Sequence, residues 1–124
     1  MENMLGKIVL EKNKTNPRVI IWCNDKSMRG LELVREDSNN IASCDIVKDN
    51  SYHGSKLENI SVDYENAIDI NVLNIRTIGK FTEKGYLKLI RSYISHHSYN
   101  GGTNASYLFV RADVHDNFIK MLKR

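Results

Sequence analysis

The residues that could do chemistry together cluster between positions 69 and 88: Asp69, Arg76, Lys80, Lys84, Gly85 and Lys88. The spacing predicts that a strand over 67–75 ends, that a basic loop over 76–84 containing Gly79 follows, and that a helix opens at Gly85. A helix N-terminus presents unpaired backbone N–H groups and partial positive charge. A glycine there lets a ligand approach the main chain, and Arg76 with the lysines adds full charges. The chemistry implied is phosphate binding. The plain alternative is a connecting loop with its lysines in water. Asp69, on the polar face of the expected strand, is the nearest candidate for a base that deprotonates an acceptor amine; its plain alternative is a solvent-facing strand aspartate. Neither GxxxxGK[ST] nor GxGxxG occurs, so no nucleotide-hydrolysing loop or dinucleotide fingerprint is supported.

The other reactive side chains point less sharply. His96 and His97 are adjacent, so on a helix they diverge by about 100° and cannot form an i, i+4 metal pair. Near a helix C-terminus a protonated imidazole simply meets the dipole favourably. His115 stands between Asp113 and Asp116 at an expected helix start, and His53 follows Tyr52 in a loop. Neither spacing assigns a role. Cys23 and Cys44 fall on two expected strands, where burial as small apolar side chains is the usual outcome. Two cysteines are too few for a disulfide framework or a thiolate zinc site.

These residues need elements to position them. The runs 7–11 and 18–23, the alternation over 31–35 and the segment 41–47 read as antiparallel strands separated by polar turns. Segment 49–56 is a loop, and 57–64 leans towards a short strand. Over 67–75, Ile68, Ile70 and Val72 alternate with polar positions. From Gly85 to His97 the apolar period becomes three and four, through Tyr86, Leu87, Ile90, Tyr93 and Ile94. A glycine-rich stop over 100–104 precedes a strand over 105–111 and a helix over 113–124 capped by Asp113. The expected fold is α+β: an antiparallel sheet of about five to seven strands with a C-terminal strand–helix–strand–helix unit.

This order of elements resembles that of the GNAT superfamily of N-acetyltransferases. Residues 67–75 look like its central strand, and Lys80-Phe81-Thr82-Glu83-Lys84-Gly85-Tyr86 occupies the place of its R/Q-x-x-G-x-G/A loop. Gly85-Tyr86-Leu87-Lys88-Leu89-Ile90 is similar to the opening of its helix. The resemblance covers roughly residues 18–124 and fits a divergent or truncated relative. It implies acetyl-CoA as cofactor, with Arg76, Lys80, Lys84, Gly85 and Lys88 holding its pyrophosphate and Asp69 as base. Thr82 and Glu83 stand where a glycine and a small residue are usual, and no tyrosine follows Tyr107, where the family's general acid would lie.

Composition bounds these readings. The chain has 124 residues, 41% apolar and 27% charged, which suits one soluble domain over 1–124. No stretch approaches the roughly 20 apolar residues of a membrane span, and the first ten residues do not read as a secretory signal; a cytoplasmic protein is expected. The net charge of +3 divides unevenly: residues 1–75 carry −3 and residues 76–124 carry +6. The basic half implies an anionic partner. The leading expectation is a domain binding acetyl-CoA or another phosphate-bearing small molecule, acting as an N-acyltransferase. The alternative is a non-enzymatic inhibitor or adaptor that docks its basic half on a protein partner. A nucleic acid is a further alternative, suggested by cations interleaved with Phe81, Tyr86, Tyr93 and Tyr99.

Overall fold

In the computed structural model the chain is described over residues 4–23, 26–35, 41–65 and 67–99. Among the described residues seven strands form: β1 (Lys7–Glu11), β2 (Arg18–Cys23), β3 (Met28–Arg35), β4 (Ile46–Lys48), β5 (Ile60–Val62), β6 (Ile68–Ile70) and β7 (Ile75–Phe81). One helix, α1 (Glu83–Tyr99), follows. All pairings are antiparallel, in the order β4-β7-β1-β2-β3-β5. β6 shares the far edge of β3 with β5: β5 pairs along Leu33 to Arg35 and β6 along Met28 to Gly30. The antiparallel sheet and its helix are as expected. The strand expected over 105–111 and the helix over 113–124 lie outside the described residues.

Three boundaries differ from the sequence reading. The segment 41–47 is not one strand: a 3₁₀ turn at Ser43–Asp45 precedes the short β4. The strand expected over 67–75 contracts to β6, because the Asn71 side chain accepts from the Leu73 N–H at 3.0 Å and closes a turn. Leu73 there is 85% exposed. The expected loop over 76–84 is instead mostly β7. Its apolar residues Ile78 and Phe81 share the helix side although they are three apart, because the strand carries a bulge, while Ile75 faces the other side. Ile8 pairs with Gly79 but Val9 pairs with Thr77, which leaves Ile78 as the extra residue.

That bulge reverses the alternation. Arg76 lies opposite Leu10 and Lys80 opposite Lys7, three places apart on β1. Arg76 and Lys80 therefore face opposite sides of the sheet.

One side of the sheet carries the main core. Ile8, Val19, Leu31, Leu33 and Ile78 meet Tyr86, Leu89, Ile90 and Tyr93 of α1. The helix crosses the strands: its first turn lies against Asp45 beside β4, and Tyr93 meets Tyr64 just beyond β5, with ring centroids 6.5 Å apart. Thr82 caps it, its hydroxyl accepting from the Gly85 N–H at 3.0 Å. The other side of the sheet holds a smaller cluster of Val9, Ile20, Met28 and Ile70.

Tyr86 brings a hydroxyl into the main core with no hydrogen-bond partner among the described residues. Burial pushes its pKa well above the ordinary value of 10.0, and the neighbouring Cys23 thiol adds to the shift. Burial likewise raises Tyr93 to about 12, against the opposing charge of Arg29. A raised tyrosine pKa leaves stability intact below the unfolded value and removes it as pH rises towards the folded one. Tyr86→Phe deletes an unsatisfied donor, so at pH 7 its stability should be unchanged or higher by up to about 1 kcal/mol. Its alkaline unfolding midpoint should also move up. Urea melts across the range from neutral to about pH 11 check both, and an unmoved alkaline midpoint would show that the unfolded-state ionisation of Tyr86 is not felt.

Candidate functional site

The structure does not gather the residues singled out around the strand–helix junction. Arg76 and Lys80 are on opposite faces of β7. Lys84 is exposed on the first turn of α1. Lys88 reaches the carboxylate of Asp45 at 3.4 Å. Asp69 is 86% exposed on β6, where it pairs with Arg29 Nε at 3.2 Å; β1, β2 and β3 separate it from β7.

Gly85 is buried, and what approaches its backbone is protein. A Cβ built there would lie 2.6 Å from both the Cβ and the carbonyl oxygen of Asp45. That carbonyl accepts from the Thr82 N–H at 2.8 Å, so the 3₁₀ turn is stitched to the helix start. Asp45 thus brings a carboxylate to the end of the helix that carries partial positive charge.

A denser assembly of cations lies at the opposite pole of the sheet, where β1 and β3 end, β2, β5 and β7 begin, and β4 ends. Its centre is Tyr52. After β4, the Asp49 carboxylate accepts from the Ser51 N–H at 2.9 Å and from the Ser51 hydroxyl at 2.6 Å. This tight turn swings the chain back and lays Tyr52 on the helix side of the sheet, 7% exposed. Lys48 Nζ and Arg76 Cζ each stand 5.6 Å from the Tyr52 ring centroid, within reach of a cation–π attraction. The Lys56 N–H donates to the Tyr52 hydroxyl at 3.3 Å. Beside the ring lies a cavity of about 380 Å³, lined by Asn16, Leu33, Arg35, Tyr52, Ser55 and Lys56 among others.

The cations here are held by neutral groups. Arg76 donates to the Ser51 carbonyl at 2.9 Å, Arg35 to the Ser55 carbonyl at 3.1 Å, and Lys56 Nζ to the Thr15 carbonyl at 2.6 Å. A carbonyl fixes a cationic side chain without cancelling its net charge. Nearby carboxylates are already engaged. Glu11 is bound to the buried Arg18. Asp49 is held below the ordinary carboxylate range, first by its Ser51 hydrogen bonds and then by Arg76. Arg35, Lys48, Lys56 and Arg76 therefore surround Tyr52 with no ion pair among the described residues, and the Asp49 carboxylate offsets only part of the charge of Arg76. A roomier cavity of about 600 Å³ between Ile41, Ile46, Leu57 and Ile60 has Glu58 as its charged lining residue, which is the wrong sign for an anion.

Sequence reasoning noted Tyr52 only as the neighbour of His53. It gave Arg35, Lys48 and Lys56 no role. The legible signal was Asp49-Asn50-Ser51, an Asp-x-Ser turn that folds a following aromatic residue back. His53 itself is exposed. His96 contacts Glu65, with Nε2 and Oε2 3.2 Å apart, and its ring lies 6.0 Å from that of Tyr64. The His97 side chain and His115 lie outside the described residues. Cys23 lies on a strand as expected but is only half-buried, and Cys44 is exposed because it sits in the 3₁₀ turn and not in a strand. Among the described residues no group of His, Cys, Asp and Glu is placed to hold a metal ion. None of the described helices is long and apolar enough to cross a membrane.

Comparison with protein-family models, with curated proteins and with solved structures finds no match to this chain.

Proposed function

We propose that this chain is a non-enzymatic binding module for a phosphate-bearing anion, and that the anion sits at the basic pole around Tyr52. The observation that carries the reading is that four cations from separate segments gather at Tyr52: Lys48 and Arg76 against its ring, and Arg35 and Lys56 in the lining of the cavity beside it. Like charges repel, so four cations brought this close raise the local potential. An anion is the ligand that relieves that repulsion. The cations stay fixed because backbone carbonyls hold three of them, so little side-chain ordering is left for the ligand to impose. A cytoplasmic setting suits the two free thiols.

An N-acyltransferase that holds acetyl-CoA at Gly85 is the competing reading. Asp45 speaks against it, because its backbone and carboxylate stand where the pyrophosphate would approach. Thermal shift separates the two. Pyrophosphate and CoA at 100 times their dissociation constants should each add about 2.7 kcal/mol to stability. That gain should vanish in Lys56→Glu/Arg76→Glu and survive in Lys80→Glu/Lys84→Glu. The reverse pattern would restore the helix-start site, and no shift with either ligand would refute both.

A further inference from the structure

Resting on that reading, we infer that the ligand is a linear chain of phosphates, bound without base recognition, that runs from the Tyr52 cavity past Arg76 into a second basic concavity. The second concavity, about 420 Å³, is lined by Leu10 to Lys14 and by Asn74 to Arg76. It lies on one flank of the β1–β2 turn. The Tyr52 cavity, lined by Thr15, Asn16 and Pro17 from the same turn, lies on the other. Arg76 links the second concavity, which it lines, to the Tyr52 ring, over which it stands.

The second concavity brings its own charge. Lys12 and Lys14 are exposed there. The turn that presents them is built firmly: the Lys12 N–H donates to the Asn74 carbonyl at 2.9 Å, and the Lys14 N–H to the Glu11 carbonyl at 3.1 Å. Asn13 between them takes a φ of 67°, a left-handed conformation that asparagine tolerates better than most residues. Cations thus continue along one path, from Arg35 and Lys56 through Lys48 and Arg76 to Lys12 and Lys14. A compact anion fills one end of that path, whereas a chain of phosphates meets all of it. Stacking plays no part, since Tyr52 is 7% exposed and already has two cations against its ring. Proteins that read single-stranded bases use open aromatic faces, and this site offers none.

The test measures binding of pyrophosphate, of a linear polyphosphate of about twelve units and of a twelve-nucleotide oligothymidylate across a salt series. Engaging all six cations predicts a slope of log K on log salt near −4, at about −0.7 per contact for single strands. The long chains should bind at least tenfold more tightly than pyrophosphate. Lys12→Gln/Lys14→Gln should erase that gain, bring the slope to about −3 and leave pyrophosphate binding unchanged. Equal affinity for short and long anions would overturn the inference while sparing the anion site itself. A gain that persists in the Lys12/Lys14 variant would also overturn it, by routing the chain elsewhere. Failure of every anion to bind would sink both readings. The two long probes tell an inorganic chain from a nucleic acid backbone by which binds more tightly.

Discussion

Glu11→Ala should destabilise the protein by about 3–5 kcal/mol, a large share of what holds a domain of this size together. The reason is Arg18. Its side chain and that of Glu11 are each 10% exposed, and they form an ion pair across the β1–β2 hairpin. Glu32 stands opposite Arg18 in the register of β2 and β3, but Asn16 Nδ2 already donates to it at 2.8 Å. Arg18 Nε has no hydrogen-bond partner among the described residues. Removing Glu11 would leave a guanidinium buried with its charge uncompensated, the most expensive outcome for such a pair. Removing both charges at once has the opposite logic. Glu11→Leu/Arg18→Met replaces the pair with apolar volume and should come within about 1 kcal/mol of the parent, or exceed it. Urea denaturation with unchanged m-values measures both. A single variant that loses less than about 1 kcal/mol would mean that Arg18 finds water when its partner is gone.

Gly85→Ala should cost about 2 kcal/mol, with Tm falling by about 8 °C. At an ordinary helix position the same change gains about 1 kcal/mol, because alanine loses less backbone freedom. Here the added methyl would meet the Asp45 carbonyl oxygen and Cβ, each at 2.6 Å. A backbone carbonyl cannot step aside as a long side chain can. It is also bonded to the Thr82 N–H, so relief requires the 3₁₀ turn and the helix start to part. Pyrophosphate affinity should be unchanged in this variant once it is folded, since the Tyr52 pole is at the far end of the strands. A stable Gly85→Ala protein that no longer binds the anion would instead place the ligand at the helix start.

Gly85 shows how far the sequence can be read. Its type and place announced a close approach to the backbone, and the structure contains one. The approaching group is Asp45, forty residues earlier, and no local pattern names a partner at that distance. β1 and β2 were legible as short apolar, β-branched runs, β3 from Leu31 onward by its alternation, and α1 by its spacing of three and four. β7 was not, because its bulge turns an alternation of two into a spacing of three and makes Arg76 and Lys80 resemble loop lysines and arginines. The charge split at residue 75 was real arithmetic but not a structural division. Arg76 comes from the basic side of that split, while Arg35, Lys48 and Lys56 come from the acidic side. Antiparallel pairing brings them together, and pairing is a property of register, not of composition.

The single extra residue at Ile78 also bears on how a relative of this protein could be known. Whether Arg76 stands over Tyr52 or on the side of Val9 and Ile20 is decided by whether Ile78 bulges out of the pairing, not by any charged group. A chain of the same length that paired regularly here would set Ile78 opposite Val9 and Arg76 opposite Glu11; it would keep every cation, in the same order, and lose the roof of the site. Kinship in function would therefore be tracked poorly by matching lysines and arginines. It would be tracked better by the bulge itself, which sets Ile78 and Phe81, three apart, on one face.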